Sequence, residues 1–316
     1  MEKIKILVFG GGGVGSYFAG ALNLDGHDVT LLTRGTHLNH IEKFGLAMKT
    51  HWGEFNSCIK VTEDTNEFYD VVILAVKTYS IKEIMPKISE LSNPKNYIIC
   101  LQNGTFTYNY LSKKIPNSRV LDGLTYVDAS RIKPGYVDQF GEEAKIIIGN
   151  ENCNNNKRQE LLTLAKTLNS KRVQVLFSDE IQKSVWEKLI MVAASGSMMS
   201  FANTNATEIF ADSKYSLMIK SMIKEMCMAA KSIGVNINED FEYKTLEGLR
   251  IRSDELHSSL KEDLDNKRPL ELDQILGEAI RTGKSNGIDM DVCEEVYQKL
   301  SPFIEGKNYS DRKSVV

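Results

Sequence analysis

Short apolar runs alternate with helical patterns through the first part of the chain. Such runs, with five apolar residues in succession from Val71 to Ala75, are typical of strands buried on both faces of a parallel sheet. The predicted strands are Ile4–Phe9, His27–Thr33, Tyr69–Val76, Tyr97–Leu101 and Arg119–Leu121, and the predicted helices are Ser16–Leu24, His37–Phe44 and Ile81–Leu91. The alternation of strand and helix predicts a doubly wound α/β sheet.

In the middle of the chain the alternation of strands and helices gives way to consecutive strands. Its predicted elements are antiparallel strands at Gly123–Asp128, Gly135–Phe140 and Ala144–Gly149, a polar loop at Glu151–Asn156, a helix at Gln159–Asn169 and a last strand at Arg172–Phe177. Ser178-Asp179 is interpreted as an N-cap, because the sequence beyond it is helical almost to the end of the chain. We therefore expect two domains, residues 1–179 and residues 180–316, the second of them all-α.

The strand Ile4–Phe9 runs directly into a turn in which Gly10, Gly12 and Gly15 fit the pattern G-x-G-x-x-G. In this pattern one glycine forms the tight turn, one allows a pyrophosphate to approach the backbone, and one allows close helix–strand packing. The following helix offers free N–H groups to phosphates. We predict a dinucleotide site at Gly10, Gly12, Gly13, Val14 and Gly15; the alternative is a glycine-rich turn without a ligand.

The end of the second strand indicates which dinucleotide binds. Enzymes that use NAD usually carry an acidic residue there, to accept hydrogen bonds from the ribose, whereas this chain has Thr33-Arg34-Gly35. An arginine can bind a 2′-phosphate that a carboxylate would repel. Arg34 therefore predicts NADP(H) rather than NAD(H), with a solvated surface charge as the alternative.

Composition excludes several classes of protein. The 316 residues carry a net charge of −3 and no long basic run, which disfavours binding to nucleic acid. No signal peptide and no run of about 18 apolar residues is present, so we expect a cytoplasmic protein without a membrane span. The five scattered cysteines are interpreted as free thiols. His37 and His40 are interpreted as surface residues, and no metal site is predicted.

Polar residues in positions suited to chemistry occur in both halves. Lys77 and Asn103 follow predicted strands, and ligands bind beyond the carboxyl ends of such strands. A solvent lysine and an ordinary Asn-Gly turn are the alternatives. Lys188 lies in an apolar helical segment, where an ammonium group is costly unless it pairs or lines a cleft; the alternative is a snorkelling surface lysine. Glu271 belongs to a polar region that we predict to be helical, and it is either a partner for Lys188 or a helix-face charge.

Segments over nearly the whole chain match one family in order. They include IKILVFGGGGVGSYFAGAL, GHDVTLLTRG, VVILAVKTYS, CLQNGTF, GLTYVDASRIKPGYV, SVWEKLI and SSLKEDLDNKRPLELDQILGEAIRTGKSNGI. With these segments the chain resembles the ketopantoate reductase family. The resemblance implies a Rossmann-type nicotinamide domain, a helical domain, and an active site in the cleft between them. It also implies NADPH-dependent reduction of 2-dehydropantoate to (R)-pantoate, a step toward pantothenate and coenzyme A.

The resemblance also implies roles for single residues. Lys188 matches the lysine that donates a proton to the ketone oxygen, and Glu271 matches the glutamate that orients it. Asn103 matches the asparagine beside nicotinamide and substrate, Lys77 the lysine on the cofactor side, and Ser259 the serine that binds the substrate carboxylate. A homodimer through the helical half is left open.

The chain departs from the family at positions where many members carry asparagine. Val192 and Gly196 stand one and two helical turns beyond Lys188, and Ala206 aligns with a third family asparagine. The substrate pocket is therefore expected to be less polar. A reductase of another branched or bulkier 2-oxo acid is one alternative function, and an NADP-sensing protein without turnover is another.

Overall fold

The computed structural model describes residues 3–115, 119–151 and 153–306. The chain divides into two compact units. The first comprises residues 1–102 and 107–181, and the second comprises residues 103–106 and 182–316. The division after Ile181 lies two residues beyond the expected domain boundary. The segment Asn103–Phe106, which the sequence places among the strands, clusters with the second unit.

The first unit is built on one sheet, which contains ten strands within the described residues. These strands are β1 (Lys5–Phe9), β2 (Asp28–Leu32), β3 (Leu46–Thr50), β4 (Gly53–Ser57), β5 (Lys60–Thr62), β6 (Val71–Leu74), β7 (Tyr97–Cys100), β8 (Arg119–Lys133), β9 (Tyr136–Gly149) and β10 (Gln174–Ser178). The helices of this unit are α1 (Gly13–Leu24), α2 (Gly35–Phe44), α3 (Ile81–Leu91), α4 (Phe106–Lys114) and α5 (Asn155–Leu168). The element α4 starts at the last residue of the segment that clusters with the second unit.

The order of the strands is β4-β3-β9-β8-β7-β6-β1-β2-β5, and β10 pairs with β9. The strands from β5 through β2, β1, β6 and β7 to the start of β8 are parallel, which confirms the predicted doubly wound arrangement. The strands β6 and β7 are buried along their whole length and β1 is buried from Ile6 onward, as is typical of a parallel sheet with helices on both faces. The predicted antiparallel pairing also occurs, between β8 and β9.

Two predictions about the middle of the chain were wrong in detail. Arg119–Leu121 and Gly123–Asp128 belong to one continuous strand, β8, which pairs with β7 at its start and with β9 from Asp122 onward. Likewise β9 joins the two strands that were predicted separately. The burial pattern changes along β8 from buried to exposed, so the sequence shows two different periodicities within one element. The helix α4 was not predicted.

The described part of the second unit's longer segment consists of helices and the loops between them. Its helices are α6 (Ile181–Ala202, whose first residue belongs to the first unit), α7 (Ala206–Ala211), α8 (Ser213–Ser232), α9 (Phe241–Ile251), α10 (Ser259–Asp265), α11 (Leu272–Ser285) and α12 (Asp291–Leu300). The helix α8 packs against α7, α9, α11 and α12. Its residues Met218, Met222 and Met226, which recur at helical spacing, are buried in the core, whereas Leu217 is 65% exposed and Ile233 is 47% exposed.

Two further expectations need correction. Neither Ser178 nor Asp179 directly precedes a helix, since α6 begins at Ile181. The carboxylate of Asp179 instead accepts hydrogen bonds from Arg158 at 2.8 Å. The polar region around Glu271 is not one helix, because α10 ends at Asp265 and α11 begins at Leu272. The sequence YSDRKSVV at positions 309–316 predicts a frayed tail, which lies outside the described residues.

Among the described residues, no helix combines the length and the apolar character that a membrane crossing requires.

Candidate active site

The glycine turn after β1 requires glycine at its first position. Gly10 has a φ of +122°, and its N–H donates to the carbonyl oxygen of Leu32 at 3.0 Å. A β-carbon at this position would lie 2.8 Å from the backbone nitrogen of Val76. Both the backbone conformation and the lack of space exclude a side chain here.

Gly12 and Gly15 meet different constraints. A β-carbon on Gly15 would lie 1.9 Å from the carbonyl oxygen of Gly10, so α1 packs directly onto the turn. A β-carbon on Gly12 would meet nothing within 4 Å, and Gly12 is exposed and has an ordinary φ of −74°. Packing within the protein therefore explains why glycine is needed at positions 10 and 15, but it does not explain the glycine at position 12. The exposed backbone of Gly12 is open to a ligand.

The helix α1 begins at Gly13, inside the glycine turn, and not at Ser16 as the sequence predicted. Gly12 is its N-cap and provides no side-chain cap, and no acidic residue lies in the first turn. The amides of Gly13, Val14 and Gly15 belong to the first turn of a helix, which has no intrahelical acceptors for them. The positive end of the helix dipole thus lies at the exposed Gly12, an arrangement suited to a phosphate.

His37 is only 2% exposed, so its interpretation as a surface residue was wrong. Its Nδ1 accepts a hydrogen bond from the N–H of Gly135 at 2.9 Å, and its Nε2 lies 3.0 Å from Oγ of Ser16. Because Nδ1 accepts, the proton of a neutral ring must be on Nε2. Burial above all, together with the nearby charges of Arg131 and His40, lowers the pKa of His37 to about 4. His37 therefore joins α1 to the β8–β9 hairpin as a neutral side chain.

Arg34 lies at the N-cap of α2, directly after β2, and is exposed. The N–H of Gly35 donates to Oε1 of Glu63 at 3.1 Å, so a carboxylate also lies at this corner. No described carboxylate lies within ion-pair distance of Arg34 itself. Its guanidinium is thus available to an anion at the end of β2.

Lys77 follows β6 and is the N-cap of a short 3₁₀ helix at Thr78–Ser80, where it is half-buried. Gln102, which the sequence did not single out, holds this strand end in place. Its Nε2 donates to the carbonyl oxygens of Leu74 and Val76 at 2.9 and 3.1 Å. Its position directly before Asn103 is a signal that sequence reasoning could have used.

The four residues after Gln102, Asn103–Phe106, belong to the second unit. Gly104 has a φ of +85°, and a β-carbon on it would lie 2.9 Å from the carbonyl oxygen of Gln274 and 3.5 Å from Cδ1 of Leu189. Leu189 is the neighbour of Lys188 on α6, and Gln274 lies in the first turn of α11 after Glu271. The Asn103-Gly104 turn is therefore packed against the two helices that carry Lys188 and Glu271.

Lys188 is half-buried on α6, between the buried residues Trp186 and Leu189. Glu271 is 7% exposed and is the N-cap residue of α11. A buried carboxylate at a helix N-terminus benefits from the helix dipole. Ser259 is the exposed first residue of α10, and Ser258 caps that helix by accepting from the N–H of Lys261 at 3.3 Å.

The face of α6 beyond Lys188 carries no polar side chain at the two family asparagine positions. Val192 is half-buried and packs against the hydrophobic core of the second unit. Gly196 is buried, and a β-carbon there would lie 2.7 Å from Oγ of Ser258. The N-terminus of α10 thus occupies the space that a side chain at position 196 would need.

In the described part of the chain, no group of three or more His, Cys, Asp or Glu residues is arranged to hold a metal ion.

A glycine turn at the end of the first strand of a parallel sheet, followed directly by a helix N-terminus, is typical of the class of dinucleotide-binding proteins. The model of the N-terminal part of "Ketopantoate reductase PanE/ApbA" matches residues 6–152, and the model of its C-terminal part matches residues 180–303. The chain therefore belongs to the ketopantoate reductase family of oxidoreductases.

Individual relatives are distant. The chain is 26% identical to the "uncharacterized oxidoreductase YkpB" of Bacillus subtilis, over 95% of this chain and 99% of that protein. It is 21% identical to a 2-dehydropantoate 2-reductase of Nostoc, over 100% and 99% of the two chains. A D-mandelate dehydrogenase solved with NADH and anilino(oxo)acetate has the same fold, with a TM-score of 0.86, 22% identity, and coverage of 95% and 98%.

Proposed function

We propose that the protein is an NADPH-dependent 2-oxo acid reductase whose substrate is 2-dehydropantoate, reduced to (R)-pantoate on the route to pantothenate and coenzyme A. One observation carries the proposal. The turn that contains Asn103 packs through Gly104 against both Leu189 and Gln274, which brings it to the helices of Lys188 and Glu271. The curated relatives named 2-dehydropantoate 2-reductase support the choice of substrate.

The residues of the first unit fit a dinucleotide. Gly12 is exposed, and a β-carbon there would meet no other described part of the chain within 4 Å. It is the N-cap of a helix whose first turn carries no acidic side chain. A pyrophosphate would accept hydrogen bonds from the amides of Gly13, Val14 and Gly15. Arg34 would hold the 2′-phosphate at the end of β2, and Lys77 would contact the cofactor from the end of β6. When bound, NADPH supplies the hydride.

The residues of the second unit supply the proton and hold the substrate. Arrival of a hydride at the carbonyl carbon gives the oxygen alkoxide character, so a donor within hydrogen-bond distance of that oxygen is needed. Lys188 donates this proton in our proposal, and Glu271 orients its ammonium group. Asn103 positions the ketone, and the Ser259 hydroxyl donates to the substrate carboxylate.

Lys188→Ala tests the proposal. It should lower kcat by about 10²- to 10⁴-fold, the usual contribution of a positioned acid, while the Kd for NADPH stays unchanged. The matched control is Lys183→Ala on the same helix, since Nζ of Lys183 binds Oδ1 of Asn238 at 3.0 Å and has no proposed role in catalysis. Unchanged reductase activity in Lys188→Ala would refute the proton-donor role. Cofactor binding by the wild type without turnover of any 2-oxo acid would favour the sensing protein.

A second candidate is the reduction of another branched or bulkier 2-oxo acid by the same chemistry. Val192 and Gly196 favour it, because they stand where many family members carry asparagine on the face of α6 with Lys188. Val192 packs against the core, and the nearby Oγ of Ser258 leaves no space for a side chain at position 196. The structural neighbour named D-mandelate dehydrogenase supports it too. A comparison of kcat/KM for 2-dehydropantoate with values for aliphatic and aromatic 2-oxo acids distinguishes the two candidates.

A further inference from the structure

The arginines of the first unit fall into two groups. Three of the five form ion pairs, namely Arg119 with Glu160 at 3.1 Å, Arg158 with Asp179 at 2.8 Å, and Arg172 with Asp25. Within the described residues, the other two, Arg34 and Arg131, have no carboxylate at ion-pair distance. Both of them lie beside the glycine turn. An exposed guanidinium without an acidic partner is suited to an external anion.

Arg131 contacts the glycine turn directly. Its Nη1 donates to the carbonyl oxygen of Gly11 at 3.1 Å, although Arg131 is 120 residues away in sequence. A β-carbon on Gly11 would lie 2.1 Å from Oγ1 of Thr33, the residue before Arg34. Gly11 therefore links the guanidinium of Arg131 to the end of β2. One hydrogen bond leaves the other N–H groups of the guanidinium for a ligand.

The hairpin that carries Arg131 is fixed in place. A β-carbon on Gly13 would lie 2.0 Å from the carbonyl oxygen of Ala129, so β8 packs onto the first turn of α1. At the other end of the hairpin, the N–H of Gly135 donates to His37, and its carbonyl oxygen accepts from the N–H of Ala47 at 2.9 Å. Arg131 thus extends from a backbone that is held on both sides.

We propose that Arg131 is a second arginine for the adenosine 2′-phosphate of NADPH, acting together with Arg34; the inference rests on the proposed function. The ribose of a bound dinucleotide lies at the end of the second strand, where Gly11 meets Thr33. Glu63 places a carboxylate at the same corner through its bond to Gly35, and this negative charge opposes a phosphate. A second guanidinium offsets that repulsion and provides a second set of charge-assisted hydrogen bonds.

The test uses Arg131→Gln in the full-length protein, because glutamine keeps an N–H group for the carbonyl of Gly11 and removes the charge. The Kd is measured by calorimetry for NADPH, NADH, 2′,5′-ADP and 5′-AMP. We expect binding of NADPH and of 2′,5′-ADP to weaken by about tenfold or more, and binding of NADH and 5′-AMP to be unchanged. The matched control is Lys133→Gln, which removes a charge from the same hairpin at a residue whose ammonium lies over the Tyr136 ring, 5.3 Å from its centroid.

Each other outcome overturns the inference in a recognisable way. If Arg131→Gln weakens the binding of NADPH and NADH equally, Arg131 contacts a chemical group that both dinucleotides carry and not the 2′-phosphate. Unchanged binding of all four ligands would make Arg131 a bystander while the proposed function stands. If Lys133→Gln weakens NADPH binding as much as Arg131→Gln does, the weaker binding results from the loss of any positive charge on this surface. If the wild type binds no dinucleotide, the proposed function itself fails.

Discussion

A β-carbon on Gly196 would lie 2.7 Å from Oγ of Ser258, the residue that caps α10. The backbone of α6 at Gly196 therefore packs closely against the N-cap residue of α10, so the helix that carries Lys188 lies against the helix that begins at Ser259. This contact also explains why position 196 has no side chain, since the space is filled by a hydroxyl group that cannot move without losing its capping bond to the N–H of Lys261.

This contact predicts coupling between the two positions. Gly196→Ala should gain about 1 kcal/mol in helix propensity but lose about 0.5–2 kcal/mol by displacing the capping hydroxyl. In a Ser258→Ala background only the gain should remain, so Gly196→Ala should be more favourable there by about 1 kcal/mol. Denaturant unfolding of the four proteins measures the difference. Equal effects of Gly196→Ala in both backgrounds would contradict the contact.

The three glycines of the turn should respond differently to alanine. Gly15→Ala places a methyl group 1.9 Å from a backbone oxygen, and Gly10→Ala combines a clash with a φ of +122°, so both should destabilise the first unit. The expected loss in the free energy of unfolding is about 1–3 kcal/mol or more. Gly12→Ala should leave stability unchanged and weaken dinucleotide binding. Melting curves and NADPH titrations separate the two effects; a normal Kd for Gly12→Ala would exclude close backbone approach by the ligand.

Arg34→Ala should weaken NADPH binding much more than NADH binding, by about 10- to 100-fold, because only NADPH carries the 2′-phosphate. The measurement is kcat/KM with each cofactor, supported by binding titrations. Lys43→Ala, in the last turn of the same helix, is the control for loss of one positive charge. Similar losses for NADPH and NADH would refute the phosphate role.

His37 predicts a pH dependence of stability. Burial chiefly lowers its pKa from 6.5 to about 4 in the folded protein. Between these two pH values the unfolded chain binds a proton that the folded chain does not, so the free energy of unfolding falls as the pH falls. The loss amounts to up to about 3 kcal/mol and is absent above the unfolded pKa, where both states are neutral.

The variant His37→Gln isolates this contribution from that of the carboxylates, which titrate in the same range. Its free energy of unfolding should fall less steeply than that of the wild type between pH 4 and 6.5, whatever its stability at neutral pH. Parallel curves for the two proteins would show that His37 titrates normally. An NMR titration of the imidazole measures the pKa directly.

Much of the first unit could be predicted from the sequence because its signals are local. The apolar runs that became β1, β6 and β7 need burial on both faces wherever they occur, and helix α3 matches its predicted bounds of Ile81–Leu91. The glycine turn was predicted because Gly10 and Gly15 meet a requirement that a few neighbouring residues set. The helical spacing of Met222 and Met226 is likewise a local signal, and both residues are buried.

The periodicity of apolar residues did not predict the bounds of elements whose surroundings differ from one end to the other. The strand β8 pairs in parallel with β7 and then antiparallel with β9, so its sequence pattern changes although its backbone continues. The helices α10 and α11 share a polar sequence, and the break between them places Glu271 at a helix N-cap instead of on a helix face.

By itself the sequence determined the alternation of strands and helices, the turn that suits a phosphate, and the candidate side chains, because these depend on residues near one another in the chain. Only the tertiary structure decided that His37 is buried against Gly135, which is 98 residues away, and that Arg131 reaches Gly11. The same holds for the packing of Gly104 against Leu189 and Gln274. Each of these contacts depends on where segments that are distant in sequence meet in space, and neither composition nor the spacing of residues along the chain determines that.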